Sequence, residues 1–255
     1  MTLVTHKNII ANVIQVNLFD LKTRGGPDTR QVALGLLPFS HVYGIVLISN
    51  ISTYRGDSVV VLSSFDLPKM LQAVDNWRIN IFNVVPPMIV ALGKSQDLLQ
   101  KYDLSSIKTV VTGGAPLDGS TLARLSARYS HWKFIQCYGA TEAGAAITIT
   151  SGHDTIPGSA GNVIPGVKVK LIREDGSEVT QYGEAGEVYA QSPGVIPGYR
   201  NDPIATNETF IEDKDGRWLR TGDIALFRLS PGGLEHIFIV DRIKEVIKVK
   251  VEFRA

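Results

Sequence analysis

Cysteine is nearly missing from this chain: Cys137 stands alone among 255 residues. A lone cysteine excludes an internal disulfide and fits a reducing compartment. An excess of either charge is missing too, with Lys+Arg 26 against Asp+Glu 25 and a formal net charge of +1. There is therefore no basic field of the kind that holds nucleic acid, and any phosphate must be met by a local site. No segment reaches the uninterrupted apolar length of a membrane span, and the start, MTLVTHKNIIANV, lacks the apolar core of a signal peptide. The expectation is a soluble, cytoplasmic protein. Internal repeats and low-complexity linkers are absent. No G-x-G-x-x-G follows an early strand, which argues against a dinucleotide-dependent oxidoreductase.

What is present is ordinary globular material, 44% hydrophobic and 20% charged, enough for a substantial core. Short apolar runs, VALGLL (32–37), DSVVVL (57–62), INIFNVV (79–85), IKTVVT (107–112) and KFIQC (133–137), read as buried strands. Between them lie helical patterns: about Lys7 to Leu21, HVYGIVLISNISTY, DLPKMLQAVDNW with Asp66 as cap and Pro68 in its first turn, and DGSTLARLSARY with Asp118 as cap. Strand and helix in alternation predict an α/β fold with a mostly parallel sheet and covering helices. From about residue 158 glycine becomes frequent. VKVKLI, the turn EDGSE and GEVYAQ then suggest a hairpin within a β-rich subdomain. The expected organisation is 1–157 for the α/β part, 158–241 for the β-rich part and 242–255 for a hinge and tail.

Several polar groups fall where such a sheet binds ligands, at the carboxyl ends of strands. TVVTGGAPL ends one strand in a glycine turn that can lie flat against a planar ring, although an ordinary βα turn has the same composition. KFIQCYGATE ends the next, with Tyr138 able to stack on an aromatic ring and Glu142 a lone carboxylate able to hold a hard cation through oxygen. His41 and Tyr43 follow another strand in LPFSHVYGI, where a histidine is as readily a packed residue as a catalyst. Asp223 lies in a Thr-Gly-Asp turn and could either shape that turn or grip two vicinal ribose hydroxyls. Arg242, Lys244, Lys248 and Lys250 read by themselves as a solvated strand edge.

Taken in order, THKN, LPFSHVYG, VVTGGAPL, QCYGATEAG, GSAGNVIPG, GEVYAQSPGVIPGYRNDPIAT, WLRTGD and DRIKEVIKVK resemble the adenylate-forming superfamily, and within it the 4-coumarate-CoA-ligase-like acyl-CoA synthetases. The resemblance covers nearly all of residues 3 to 250; YGATE and RTGD are its most specific parts. It implies ATP-dependent activation of a small-molecule carboxylic acid, with Mg²⁺ as cofactor and coenzyme A as co-substrate. By the same resemblance Gly114, Ala115 and Pro116 lie against adenine, and Gln136, Cys137, Tyr138 and Gly139 form the adenine-facing strand end, Tyr138 stacking on the base. Thr141 contacts a phosphate oxygen, Glu142 holds the metal, Asp223 binds ribose, and Arg242 reaches ribose and phosphate. Lys244 falls at the hinge of a mobile domain and Lys248 near the nucleotide, while His41 lies near the acyl group.

The acid's pocket is expected to involve Tyr43, Asn83, Pro87, Gly114, Gly139 and Ala145, mostly small or neutral residues that suit an aryl or medium acyl group. Relatives carry a Ser/Thr/Gly-rich phosphate loop before THKN and a further domain after IKVK. This chain starts at TLVTHKN, and after IKVK it reads VEFRA, with Val251 in place of a glycine. The chain by itself is thus expected to hold the adenosine and acyl pockets of an acid-CoA ligase without completing thioester formation. The alternative is a non-catalytic module that keeps a pocket shaped for AMP or acyl-adenylate, or a truncated gene product.

Overall fold

The structure, a computed structural model, describes residues 1–21, 26, 29–114 and 119–243. In chain order the elements begin with β1 (Thr2–Leu3), α1 (His6–Asp20), β2 (Val32–Gly35), a wide π-helix (Tyr43–Asn50) running into α2 (Ile51–Arg55), and β3 (Ser58–Val61). Next come α3 (Leu67–Trp77), β4 (Ile81–Val84), α4 (Pro86–Lys94), α5 (Gln96–Leu99), β5 (Thr109–Gly113), α6 (Gly119–Arg128) and β6 (Lys133–Ala140). The later elements are β7 (Ala145–Ile149), β8 (Asn162–Val163), β9 (Lys168–Ile172), β10 (Ala185–Gln191), β11 (Gly198–Tyr199), α7 (Pro203–Thr209), β12 (Phe210–Asp213), β13 (Gly216–Leu229) and β14 (Glu235–Arg242).

Among the described residues, one sheet has the order β3-β2-β4-β5-β6-β7-β8, parallel from β3 to β6 and antiparallel at β7 and β8. Helices cover both faces because its strands are apolar on both sides. On one face Leu34, Phe82, Val84 and Val110 pack against Met70 and Val74 of α3, Ile89 and Leu92 of α4 and Leu125 of α6. On the other, Val13 and Val16 of α1 and Val46 of the wide helix meet Ile135, Ile147 and Ile149. A second sheet, β12-β13-β10-β9, is antiparallel, and β14 pairs the later part of β13 on the edge whose first part pairs β12. The α/β architecture followed by a β-rich unit is as expected.

Local chemistry fixes the helix starts. Thr5 caps α1 in a reciprocal box with Asn8, and Asp66 accepts from the Lys69 amide at 2.9 Å with Pro68 in the first turn of α3. The expected cap Asp118 lies outside the described residues. Two expectations change. Asp175-Gly176 does form a tight turn, but it leads to a bridge between Ile172 and Glu178, whereas β10 pairs with β9 by a longer return. Thr221 to Asp223 is a bulge inside the single long strand β13 rather than a turn between two strands.

Candidate functional site

The segment QCYGATEAGAA is a β-hairpin. β6 runs on through Ala140, a 3₁₀ turn spans Thr141–Ala143, and β7 returns antiparallel. The scarcity of side chains is what lets the hairpin close. A Cβ at Gly139 would stand 1.8 Å from the Ala145 carbonyl oxygen, so the two backbones touch there. Ala145 itself is held at φ 142, a region that costs a residue with a Cβ some strain. It is buried at 4% exposure, so its side chain belongs to the packing between β7 and its neighbours.

Glu142 is thereby carried to the hairpin tip. Its Oε1 accepts from the Tyr199 hydroxyl at 2.8 Å and its backbone carbonyl accepts from the Ile196 amide at 2.9 Å. The loop supplying both partners is fastened twice over. Asn8 donates to the carbonyls of Pro193 at 3.0 Å and Val195 at 2.9 Å, and Arg217 donates to those of Ile196 and Pro197, both at 2.8 Å. Loss of water around its ring and the bond to Glu142 push the Tyr199 phenol up to about 12, so it remains a donor at neutral pH.

Asp223 is placed by the β13 bulge, where Val188 of β10 alone stands opposite Thr221, Gly222 and Asp223. The Thr221 hydroxyl donates to the Val188 carbonyl at 3.0 Å and accepts from the Asp223 amide at 3.1 Å, which fixes the bulge. Asp223, 6% exposed, accepts from the Tyr138 hydroxyl on Oδ2 and from Arg242 Nε on Oδ1, both at 2.8 Å. Burial and then the Asp223 carboxylate push the Tyr138 phenol well above its ordinary value. A carboxylate can accept about four hydrogen bonds, so each oxygen keeps capacity for a ligand hydroxyl. Glycine-bearing β5 ends beside this triad: Gly113 is in register with Cys137, and Gly114 follows at φ +81, exposed, with open space where a side chain would stand. Ala115, Pro116, Lys244 and Lys248 lie outside the described residues.

The remaining expected residues divide between the surface and the interior. His41 is exposed at the start of the wide helix, where its Nδ1 accepts from the Tyr43 amide at 3.1 Å. Tyr43 is buried, and its hydroxyl donates to the Val111 carbonyl at 3.1 Å. Asn83 and Cys137 line a cavity of about 70 Å³ on that face of the sheet. Enclosure by protein and the nearby Asp20 carboxylate push the Cys137 thiol up to about 12, which leaves it a neutral wall residue. Pro87 is exposed on the first turn of α4 and lies away from the cavity. Gln136 serves the hairpin through its backbone, which bonds Thr150 in both directions. Thr141 is half-buried in the hairpin turn next to Glu142.

Sequence reasoning passed over Tyr199, Asn8 and Asn12. Asn12, fully buried, mimics a neighbouring strand by donating to the Ala146 carbonyl at 2.8 Å and accepting from its amide at 3.1 Å, which docks α1 on β7. An apolar helix interrupted by buried-side asparagines was the available signal. No group of three or more His, Cys, Asp or Glu able to hold a metal occurs among the described residues. A single carboxylate fits Mg²⁺, which keeps several waters and takes phosphate oxygens. No helix among these residues is long and apolar enough to cross a membrane.

Comparison with known proteins bears on this geometry. A family model described as AMP-binding enzyme matches residues 2–200. The chain is 46% identical over 252 residues to the acyl-CoA ligase AKT1 of Alternaria alternata, covering 97% of this chain and 42% of that protein. It is 43% identical over 249 residues to the acyl-CoA ligase AFT1-1 of the same organism, again over 97% and 42%. Among solved structures, ATP-bound MatB from Rhodopseudomonas palustris superposes with a TM-score of 0.81 at 25% identity, over 96% of this chain and 46% of that one. The chain thus spans under half the length of these proteins.

Proposed function

Since the chain belongs to the AMP-binding enzyme family, we propose that it is the adenosine- and acid-holding part of an AMP-forming acid-CoA ligase. In that reaction a carboxylate oxygen attacks the α-phosphorus of ATP, forming the acyl-adenylate and releasing pyrophosphate. A thiol, that of coenzyme A in this reading, then attacks the acyl carbon and expels AMP. One observation carries the reading: Tyr138 and Arg242 hold the Asp223 carboxylate on both sides beside the open edge at Gly114.

In this reading the adenine lies on the Gly114 turn with Ala115 and Pro116 and against Tyr138. The ribose hydroxyls donate to Asp223, whose charge and orientation are held in advance of binding. Thr141 donates to a phosphate oxygen. Glu142, steadied by Tyr199, is the residue that would hold Mg²⁺, and the cation when bound neutralises charge on the phosphate oxygens. Lys248 meets the nucleotide, Lys244 marks the hinge, and His41 stands at the mouth of the acid pocket with Tyr43 behind it. Residues 1–157, 158–241 and 242–255 are taken as the α/β part, the β-rich part and the hinge region. A cytoplasmic location suits enzymes that draw on ATP and coenzyme A.

Calorimetric titration of the chain with AMP tests the proposal. Binding weaker than in a full-length ligase is expected. A well-folded sample that shows no heat at millimolar AMP overturns it.

A further inference from the structure

We propose that Asn50 is a positioning residue for the acid: it holds the wide register of the helix after His41, and that register puts Tyr43, Leu47 and Ser52 on the wall that the acyl group meets. The inference rests on the ligase reading above and adds to it a determinant of acid selectivity. The helix Tyr43–Asn50 is wound so that bonds reach back five residues, as where the Ile51 amide donates to the Val46 carbonyl. Such winding is uncommon beyond a single turn, and where it occurs it often serves a functional site.

The surroundings of the side chains repeat with the same spacing. Tyr43 and Ile48, five apart, share a cluster with Leu37. Val46 and Ile51 share another with Val13 and Ile147. Leu47 and Ser52 both line the cavity of about 70 Å³ beneath the helix, together with Val111 and Cys137. An α-helix, at 3.6 residues per turn, would instead bring Asn50 and Tyr54 to the side of Tyr43. In the structure Asn50 is half-buried and Tyr54 is 58% exposed. The wide register thus keeps two polar side chains out of the core.

Two contacts fix that register, one at each end. At the start, a Cβ on Gly44 would stand 2.1 Å from the Pro38 carbonyl oxygen, so this backbone is pressed against the preceding loop. At the end, Asn50 Nδ2 donates to the Ile45 carbonyl at 2.6 Å, five residues back. With the first end jammed, a change of register must be taken up after Gly44. Loss of the Asn50 amide then favours the tighter winding, which rotates the later residues about the axis and carries Leu47 and Ser52 off the cavity wall. Tyr43 loses Ile48 as its neighbour, although its hydroxyl stays tied to Val111.

The test is calorimetry with AMP and with octanoyl and cinnamoyl sulfamoyl-adenosine, in which a sulfamate stands in for the phosphate of an acyl-adenylate. Asn50→Asp keeps the shape of the side chain but has no N–H to donate at neutral pH, whereas Asn50→Gln retains an amide. The aspartate variant is expected to bind the better analogue about tenfold more weakly with AMP affinity unchanged, and to react about tenfold faster at Cys137 with a thiol reagent. Asn50→Gln should restore most of both. Equal losses for analogue and AMP overturn the inference, as do unaltered analogue affinity and Cys137 reactivity, or AMP binding with neither analogue held more tightly than AMP. Nuclear Overhauser contacts of an ordinary α-helix over residues 43–50 of the unaltered protein overturn it too, and they decide even where a variant fails to fold. Absence of AMP binding instead overturns the ligase reading.

Discussion

The Tyr199 hydroxyl and the Glu142 carboxylate, 57 residues apart in the chain, meet in a hydrogen bond of 2.8 Å. It is the link by which the loop before β11, fastened to α1 through Asn8, fixes the orientation of the hairpin-tip carboxylate. Tyr199→Phe removes only this donor. It is expected to raise the Mg²⁺ concentration needed for half-maximal ATP binding by roughly ten- to a hundredfold, in line with about 1.5–3 kcal/mol for a hydrogen bond to a charged group. Calorimetric ATP titrations at several Mg²⁺ concentrations measure it. An unchanged Mg²⁺ requirement means that Tyr199 only packs against Phe210.

Asp223→Ala is expected to weaken AMP binding by about 1.5–3 kcal/mol. Tyr138→Phe should weaken it less, since Arg242 still orients the carboxylate. The 2′,3′-dideoxy analogue separates a ribose contact from a turn-shaping role. If Asp223 grips the hydroxyls, parent and variant should bind the analogue alike; a similar loss for the analogue and for AMP assigns Asp223 to the bulge alone.

Gly139→Ala should destabilise the chain by at least about 2 kcal/mol, at the upper range of overpacking, because the new methyl meets backbone at 1.8 Å and backbone cannot rotate away. Urea denaturation gives the value. A loss below about 0.5 kcal/mol would show that the hairpin can open at Ala145 without cost.

Asn12→Leu keeps the volume but leaves the Ala146 amide and carbonyl without their side-chain partner. About 2–4 kcal/mol of stability should be lost, from two buried backbone groups at about 1–2 kcal/mol each. Hydrogen exchange at the Ala146 amide should accelerate in parallel; unaltered protection there contradicts the docking role.

The Cys137 thiol gives a pH prediction. Folding raises it from its ordinary 9.0 to about 12, so the folded state favours the protonated thiol. The associated stability is fully present below about pH 9 and is lost as pH rises toward 12. Urea midpoints should therefore begin to fall above about pH 9, before the raised tyrosines Tyr43, Tyr138 and Tyr199 contribute. Cys137→Ala should flatten that first decline. A thiol reagent near pH 8 should label the unfolded chain much faster than the folded one.

Much of the first sheet could be read locally. The runs around Leu34, Val60, Phe82 and Val110 are short, apolar and bounded by turns, so burial on two faces followed from composition alone. Caps were legible for the same reason: Asp66 and Pro68 lie within one turn of the backbone groups they serve. The β7 strand was not legible, because Ala-Ala-Ile-Thr-Ile has no partner until β6 passes beside it with Gly139 opposite Ala146.

Residue types and order were enough to determine that this is an α/β chain of the adenylate-forming kind. Those facts reside in local periodicity and in short motifs, and they survive without coordinates. Only the tertiary structure decided that Tyr138 and Arg242 share the Asp223 carboxylate and that Tyr199 steadies Glu142. Each of those contacts joins residues many positions apart through a hydrogen bond effective over about 3 Å. Spacing along a chain does not encode such a distance; the packing of helices and strands creates it.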